Sequence, residues 1–409
     1  MKYHAPFYLI TSIIIFNFIL ERVLDYLNSK YWSPELPKDL KDVYDPHQYK
    51  KSQLYKKVND KFSLFTNSFS FIVVISMLVL GGFGYIDKIA RIFTDNPILV
   101  ALIFFGILLL ASDIINIPFS LYDTFVIEER FGFNKTKVVT YIFDKLKGWL
   151  ITGIIGGGVI ALIVWFSEIT EYFWLFAWIA ISAFTIFMNM FSSTLIVPLF
   201  NKQTPLEDGE LKNAIQGFCN KAGFKLDNIY VIDGSKRSTK ANAYFTGLGN
   251  KKRVVLFDTL INDLSTKEIV AVLAHEIGHY KKKHMLHSVI TGILQTGITL
   301  YIFSLFVVNS LLSKSLGAEE HSIHMVIVAF GVIYSPISTI VGLFMNIISR
   351  RNEYMADKYA RDMFDGKYLI SALKKLSSNT LSNLTPHPAY VFFHYLHPTL
   401  QQRVKALKK

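Results

Sequence analysis

The chain holds a single cysteine, Cys219, among 409 residues. No internal disulfide can brace it, and no cysteine-rich zinc module can form. It also lacks a glycine-rich phosphate loop, a low-complexity tract and an internal repeat, which excludes the usual nucleotide-binding, linker and solenoid readings. Charge is thin: 18% of residues are charged, against 51% hydrophobic and 15% aromatic, a balance foreign to ordinary soluble domains. The shortage is concentrated. Runs with few or no charges occupy residues 5–20, 62–86, 98–122, 148–167, 172–200, 285–313 and 322–349. Most exceed the roughly 20 residues that a helix needs to cross the hydrocarbon layer. The first is shorter, but Glu21 and Arg22 can snorkel at its end. A cleaved signal peptide is the competing reading of that run, and no small-residue cleavage site follows it. The expected fold class is mainly α: a seven-helix integral membrane protein whose partner is the lipid bilayer.

The net charge of +12 would suit a nucleic-acid binder, but its distribution argues for topology instead. Seven crossings place successive polar segments on alternate sides. Lys2, Lys88, Arg91 and Lys314 are the basic residues on the side of the amino terminus; all others fall opposite, in 21–61, 123–147, 201–284 and beyond 350. Short loops carry the orienting signal. The basic face is therefore read as cytoplasmic, with the carboxyl terminus inside, the amino terminus outside and no nucleic-acid partner. The tail 406–409 lacks lysines where an ER-retrieval dilysine signal needs them. A bacterial plasma membrane and the ER membrane both stay open.

Four parts are expected: five spans in 1–199, a polar cytoplasmic peptidase segment in 200–284, two spans in 285–349, and a cytoplasmic tail in 350–409. Within the polar segment, 206–222 reads as helix and 228–232 and 253–258 as strands, a small sheet. Ser265 with Glu268 three residues on forms a capping box. The helix it opens carries His275-Glu276-Ile277-Gly278-His279, an HExxH motif. Positions i and i+4 share a helix face, so both imidazoles can grip one zinc ion. Glu276 then sits beside the open position as a general base for metal-bound water. The competing reading is a coincidental match on an exposed helix.

A catalytic zinc needs a third protein ligand. Metzincins take a histidine six residues after the second; here that position is Met285. Intramembrane zinc proteases take an aspartate from a later span, yet Lys281, Lys282 and Lys283 follow the motif and the last two runs hold no aspartate. Topology narrows the remaining acids: Glu319 and Glu320 face the wrong side, and Glu353 is the first acid after re-entry. Asp357 follows one helical turn later on the same face. Glu353 is the candidate ligand, and Asp357 the acceptor that would orient a ligand histidine. An ordinary surface pair of Glu353 with Arg350 or Lys358 is the alternative.

These residues resemble the type I CAAX prenyl proteases, integral-membrane zinc endopeptidases. The resemblance covers nearly the whole chain, through IEERFGFNK at 127–135, PLFNK at 198–202, ANAYFTG at 241–247, VLFDTL at 255–260, the HExxH, Glu353 with Asp357, and His397-Pro398 with Arg403. One departure is Leu396, where the family often has a hydroxyl residue. The resemblance implies seven helices around a large water-filled chamber, a zincin-like site holding one Zn2+ per chain near its cytoplasmic end, and removal of the carboxyl-terminal tripeptide from prenylated proteins. It also makes His397 the candidate oxyanion donor, against a structural histidine beside a proline turn.

Asn242 could lie on an edge strand and fix a substrate carbonyl, or simply form a turn. Arg403 could meet a substrate carboxylate, or hold the tail through a salt bridge. His284 and His287 receive no role. The expected partner is a peptide or protein substrate, with prenylated CAAX proteins the class implied. Two rivals remain: a membrane quality-control protease using the same chemistry, and a transporter whose motif is accidental.

Overall fold

The structure, a computed structural model, describes residues 4–33, 35–224, 228–246 and 253–409. The expected signature at 241–247 ends on Gly247, outside the described residues. Helices dominate. In order they are α1 (Ala5–Lys30), α2 (Pro46–Val79), α3 (Gly82–Phe93) and α4 (Pro97–Tyr122), which continues through a π-helical turn into α5 (Glu129–Phe131). Then come α6 (Val138–Ile169), α7 (Phe173–Leu195), α8 (Val197–Phe200), α9 (Glu210–Lys221), α10 (Asp258–Asp263) and α11 (Thr266–Lys281). The chain closes with α12 (His284–Val307), α13 (Ser310–Ser315), α14 (Ile323–Met363), α15 (Gly366–Asn379), α16 (Pro388–His394) and α17 (Leu400–Leu407). Seven of these segments are long and apolar enough to cross a membrane, the expected number.

Several boundaries differ from the hydropathy runs. The second run crosses a break, because Gly81 takes a left-handed conformation, φ 73°, between α2 and α3. The sixth run likewise overshoots α12, which ends at Val307. The seventh is longer than its apolar part: α14 runs 41 residues without interruption. Residue 350 therefore marks a change of composition, not of structure, and Glu353 sits on the same rod that spans the membrane.

Buried side chains gather at the two ends of the bundle and desert its middle. One core joins Phe7, Leu78, Phe104, Val164, Phe173, Phe303, Leu316 and Met325, all at one end of their helices. A second packs α9, α11 and α15 against the sheet, through Ile215, Leu256, Leu273 and Ile277. Between Phe330 and Glu353, α14 buries nothing, and α2 buries nothing between Ser52 and Leu78. A solid bundle would bury its mid-span positions. Helices standing apart as a wall leave both faces accessible.

The end opposite the motif is closed by α3, α13 and the turn between α13 and α14. Gly84 meets the backbone of Gly317 directly and donates its N–H to Leu316 O at 3.1 Å. Lys88–Glu319 (2.8 Å) and Arg91–Glu320 (3.0 Å) tie the same elements together. Beneath them buried His324 contacts buried Asp87 at 2.7 Å. In the wall, Asp113 accepts from Lys145 and Trp149, each at 2.7 Å, so that in-span acid clamps α4 to α6.

The sheet has four strands, β1 (Gln203–Pro205), β2 (Asn228–Ile232), β3 (Ala243–Thr246) and β4 (Arg253–Phe257), in spatial order β1-β2-β4-β3. β2 and β4 pair in parallel, and β3 runs antiparallel to β4 as an edge. The loop before β3 is anchored to the 127–135 segment. Glu128 takes Lys240 at 2.7 Å, Asn134 bridges Ser238, and Lys135 N–H donates to Arg237 O. Arg237 in turn grips Asp144 with two bonds of 2.7 and 2.8 Å. That loop signature therefore braces the strand beside the motif.

Candidate active site

The motif helix is seated by its first turn. Buried Glu268 accepts from the Ser265 N–H (2.8 Å), Ser371 Oγ (2.6 Å) and Lys375 Nζ (2.7 Å), so one carboxylate caps α11 and bolts it to α15. Burial opposes this charge, but the three donors win and hold Glu268 down at about 2. Leu273, Ala274 and Ile277 then bury one face of α11, which points His275 and His279 toward α14.

The two helices touch at Gly278. A Cβ there would lie 3.1 Å from the Ala356 Cα and 3.2 Å from its carbonyl oxygen, so glycine allows this approach without displacing the neighbour. The result is convergence. His275 Nε2 and His279 Nε2 are 3.1 Å apart, and Glu353 reaches them at 3.4 and 3.1 Å. A tetrahedral ion with ligands at about 2.0–2.2 Å separates ligand atoms by roughly 3.3–3.6 Å. The three distances lie in or within about 0.2 Å of that range. Glu353 Oε2 is closed to solvent, as a ligand oxygen would be. The three side chains are the metal-ligand set found among the described residues.

Behind the set lies its support. Asp357 meets His275 Nδ1 at 2.9 Å, and Arg403 of α17 grips both oxygens of Asp357 at 2.9 and 2.6 Å. Burial disfavours a charged imidazole at His275, yet the bonds to Asp357 and Glu353 lift it to about 9. The pocket favours positive charge at that point. His397 Nδ1 stands 3.0 Å from Glu353 Oε2, with its side chain 64% exposed.

A cavity of about 520 Å³ opens over the site. Glu276, Asn242, His397 and Arg403 line it together with His275, His279 and Glu353, whereas Asp357 stays behind His275. Asn242 precedes edge strand β3, and its Oδ1 accepts the Ala243 N–H at 2.8 Å. Arg403 has two of its donors engaged by Asp357 while it lines the cavity.

Residues 26–202 match the CAAX prenyl protease N-terminal region with five membrane helices, and residues 205–409 match peptidase family M48. The chain belongs to peptidase family M48. CAAX prenyl protease 1 of Saccharomyces cerevisiae is 35% identical, covering 98% of this chain and 94% of that protein. The Arabidopsis thaliana homolog is 32% identical over 97% of this chain and 96% of its own length. The crystal structure of S. mikatae Ste24p superposes with a TM-score of 0.92 at 35% identity, covering 99% of both chains. This M48 protein is therefore a multi-pass membrane metallopeptidase.

One neighbour to which the sequence reading gave no role lies against a ligand histidine. His284 Nδ1 lies 3.0 Å from His279 Nδ1. Its distance along the chain, five residues past the ligand, matches no helical repeat. The break at Lys283 that brings it back is invisible in composition.

Proposed function

We propose that this M48 peptidase is a zinc endopeptidase that releases the carboxyl-terminal tripeptide of prenylated CAAX proteins. The observation that carries the reading is the meeting of His275, His279 and Glu353 in one cavity with Glu276. The basic residues gathered at that end support a cytoplasmic site. Zinc fits the donor set of two imidazoles and one carboxylate, and supplies Lewis acidity that acidifies water and polarises a carbonyl.

The side chains do the rest. Glu276 takes the proton of the attacking water at its carboxylate and returns one to the leaving amine. His397, exposed at the rim, donates to the developing oxyanion. The free edge of β3 accepts an extended peptide by backbone pairing, and Asn242 steadies a substrate carbonyl. Asp357 fixes the His275 ring, and Arg403 acts through Asp357. The sparsely packed mid-span region supports a chamber that admits a lipidated chain end.

The test pairs metal analysis with cleavage of a farnesylated CAAX peptide by the purified full chain. Wild type should hold one zinc and release the tripeptide; Glu276→Gln should keep zinc and lose cleavage. A fully active Glu276→Gln would remove the general-base assignment. Indifference to the farnesylated peptide, with cutting of unlipidated membrane segments, would favour the quality-control reading.

A further inference from the structure

His284 is the first residue of α12, three residues past Lys281 at the end of the motif helix, and it is 5% exposed. We infer that His284 is a positioning residue: its Nδ1 accepts the Nδ1–H of His279 and so fixes the tautomer and ring orientation of the second zinc ligand. The inference rests on the zinc reading above.

The argument begins with His279. If Nε2 faces the ion, the ring is neutral and its proton sits on Nδ1, which needs an acceptor. For His275 that acceptor is a carboxylate, Asp357. For His279 the atom in that place is His284 Nδ1, at 3.0 Å. The ring geometry distinguishes this contact from mere proximity. A head-on N–H···N bond places the ring centroids nearly as far apart as the N···N distance plus both ring radii. The His279–His284 centroids are 5.1 Å apart, close to that limit. His275 and His279 have almost the same N···N distance, 3.1 Å, but centroids only 4.7 Å apart. Those two rings point past each other at a shared position; His279 and His284 point at each other.

The backbone at the helix break supports the assignment. Lys283, the residue between the helices, takes a left-handed backbone with φ 58°, a conformation unfavourable for a side chain with a Cβ. The backbone N–H groups of Lys282 and Lys283 still bond back to Gly278 and Tyr280 at 3.0 and 2.9 Å. This one-residue turn swings His284 against His279. A neutral imidazole orients the ligand without adding another negative charge beside Glu353 and Glu276.

The experiment uses the zinc-loaded full chain in detergent and reads the rate at which a chelator strips the metal. His284→Ala and His284→Leu should lose zinc roughly 10–100-fold faster than wild type. His284→Asn, whose Oδ1 can take the place of Nδ1, should stay within a few-fold of wild type. Wild-type retention in the alanine and leucine variants would overturn the inference, and so would an asparagine variant as leaky as leucine. Absence of stoichiometric zinc in wild type would instead sink the zinc reading itself, a separable outcome.

Discussion

Replacing Gly278 by alanine tests whether the spacing of α11 and α14 sets the metal site. The added Cβ would meet the Ala356 Cα at 3.1 Å, its oxygen at 3.2 Å and the Tyr359 Cβ at 3.2 Å. Comfortable carbon contacts lie at about 3.5–4.0 Å. Two of the three obstructing atoms belong to backbone, so no rotamer change relieves them, and the helices must give by a few tenths of an ångström. His275 and His279 ride on one helix and Glu353 on the other, less than one turn from Ala356. The shift therefore passes almost undiminished into a site that tolerates about 0.2 Å. Overpacking should destabilise the fold by about 1–3 kcal/mol, and zinc should be held at least ~10-fold more weakly. The assay is zinc per chain after dialysis against graded chelator, followed by peptide cleavage with excess zinc, which should restore part of the activity. Gly217→Ala, at an exposed position of α9 with nothing near its added Cβ, is the control and should leave zinc retention unchanged. Wild-type zinc retention and cleavage in Gly278→Ala would refute the claim that this crossing sets the site.

Two further predictions concern the frame around the site. Glu268 is held near 2 against an ordinary 4.5; a lowered folded value stabilises above the unfolded pKa and fades as pH falls from about 4.5 to 2. The stake is about 3 kcal/mol, so thermal midpoints should drop more steeply through that window in wild type than in Glu268→Gln, itself less stable at neutral pH. At the far end, Gly84→Ala would put a Cβ 2.1 Å from Gly317 O. It should open the contact between α3 and the turn before α14, with a loss of at least ~2 kcal/mol seen as a lower melting temperature, and a melting temperature equal to wild type would show that contact to be dispensable.

Hydrophobic run length alone was enough for the count of crossings, because runs near 20 residues suit a spanning helix, whose backbone satisfies its own polar groups in hydrocarbon, and are too long for a barrel strand. The motif helix was equally legible, since its cap and its i, i+4 histidines are local features. Glu353 could be reached by elimination, as alternating sides leave few acids near the motif. Helix ends were less readable: Gly81 and Lys283 break helices within apolar or helix-compatible stretches, and a left-handed residue leaves no mark on hydropathy.

What the chain's sequence determined by itself was therefore local or one-dimensional: seven spans, their alternation, an HExxH helix and a short list of acids. Tertiary structure alone decided the rest. It set the hydrogen-wide gap at Gly278 that lets Glu353 meet the histidines, the grip of Arg403 on Asp357, and the return of His284 to His279. Those contacts join segments separated by a helix break or by tens of residues. Their distances depend on how whole helices pack, which no window of sequence contains.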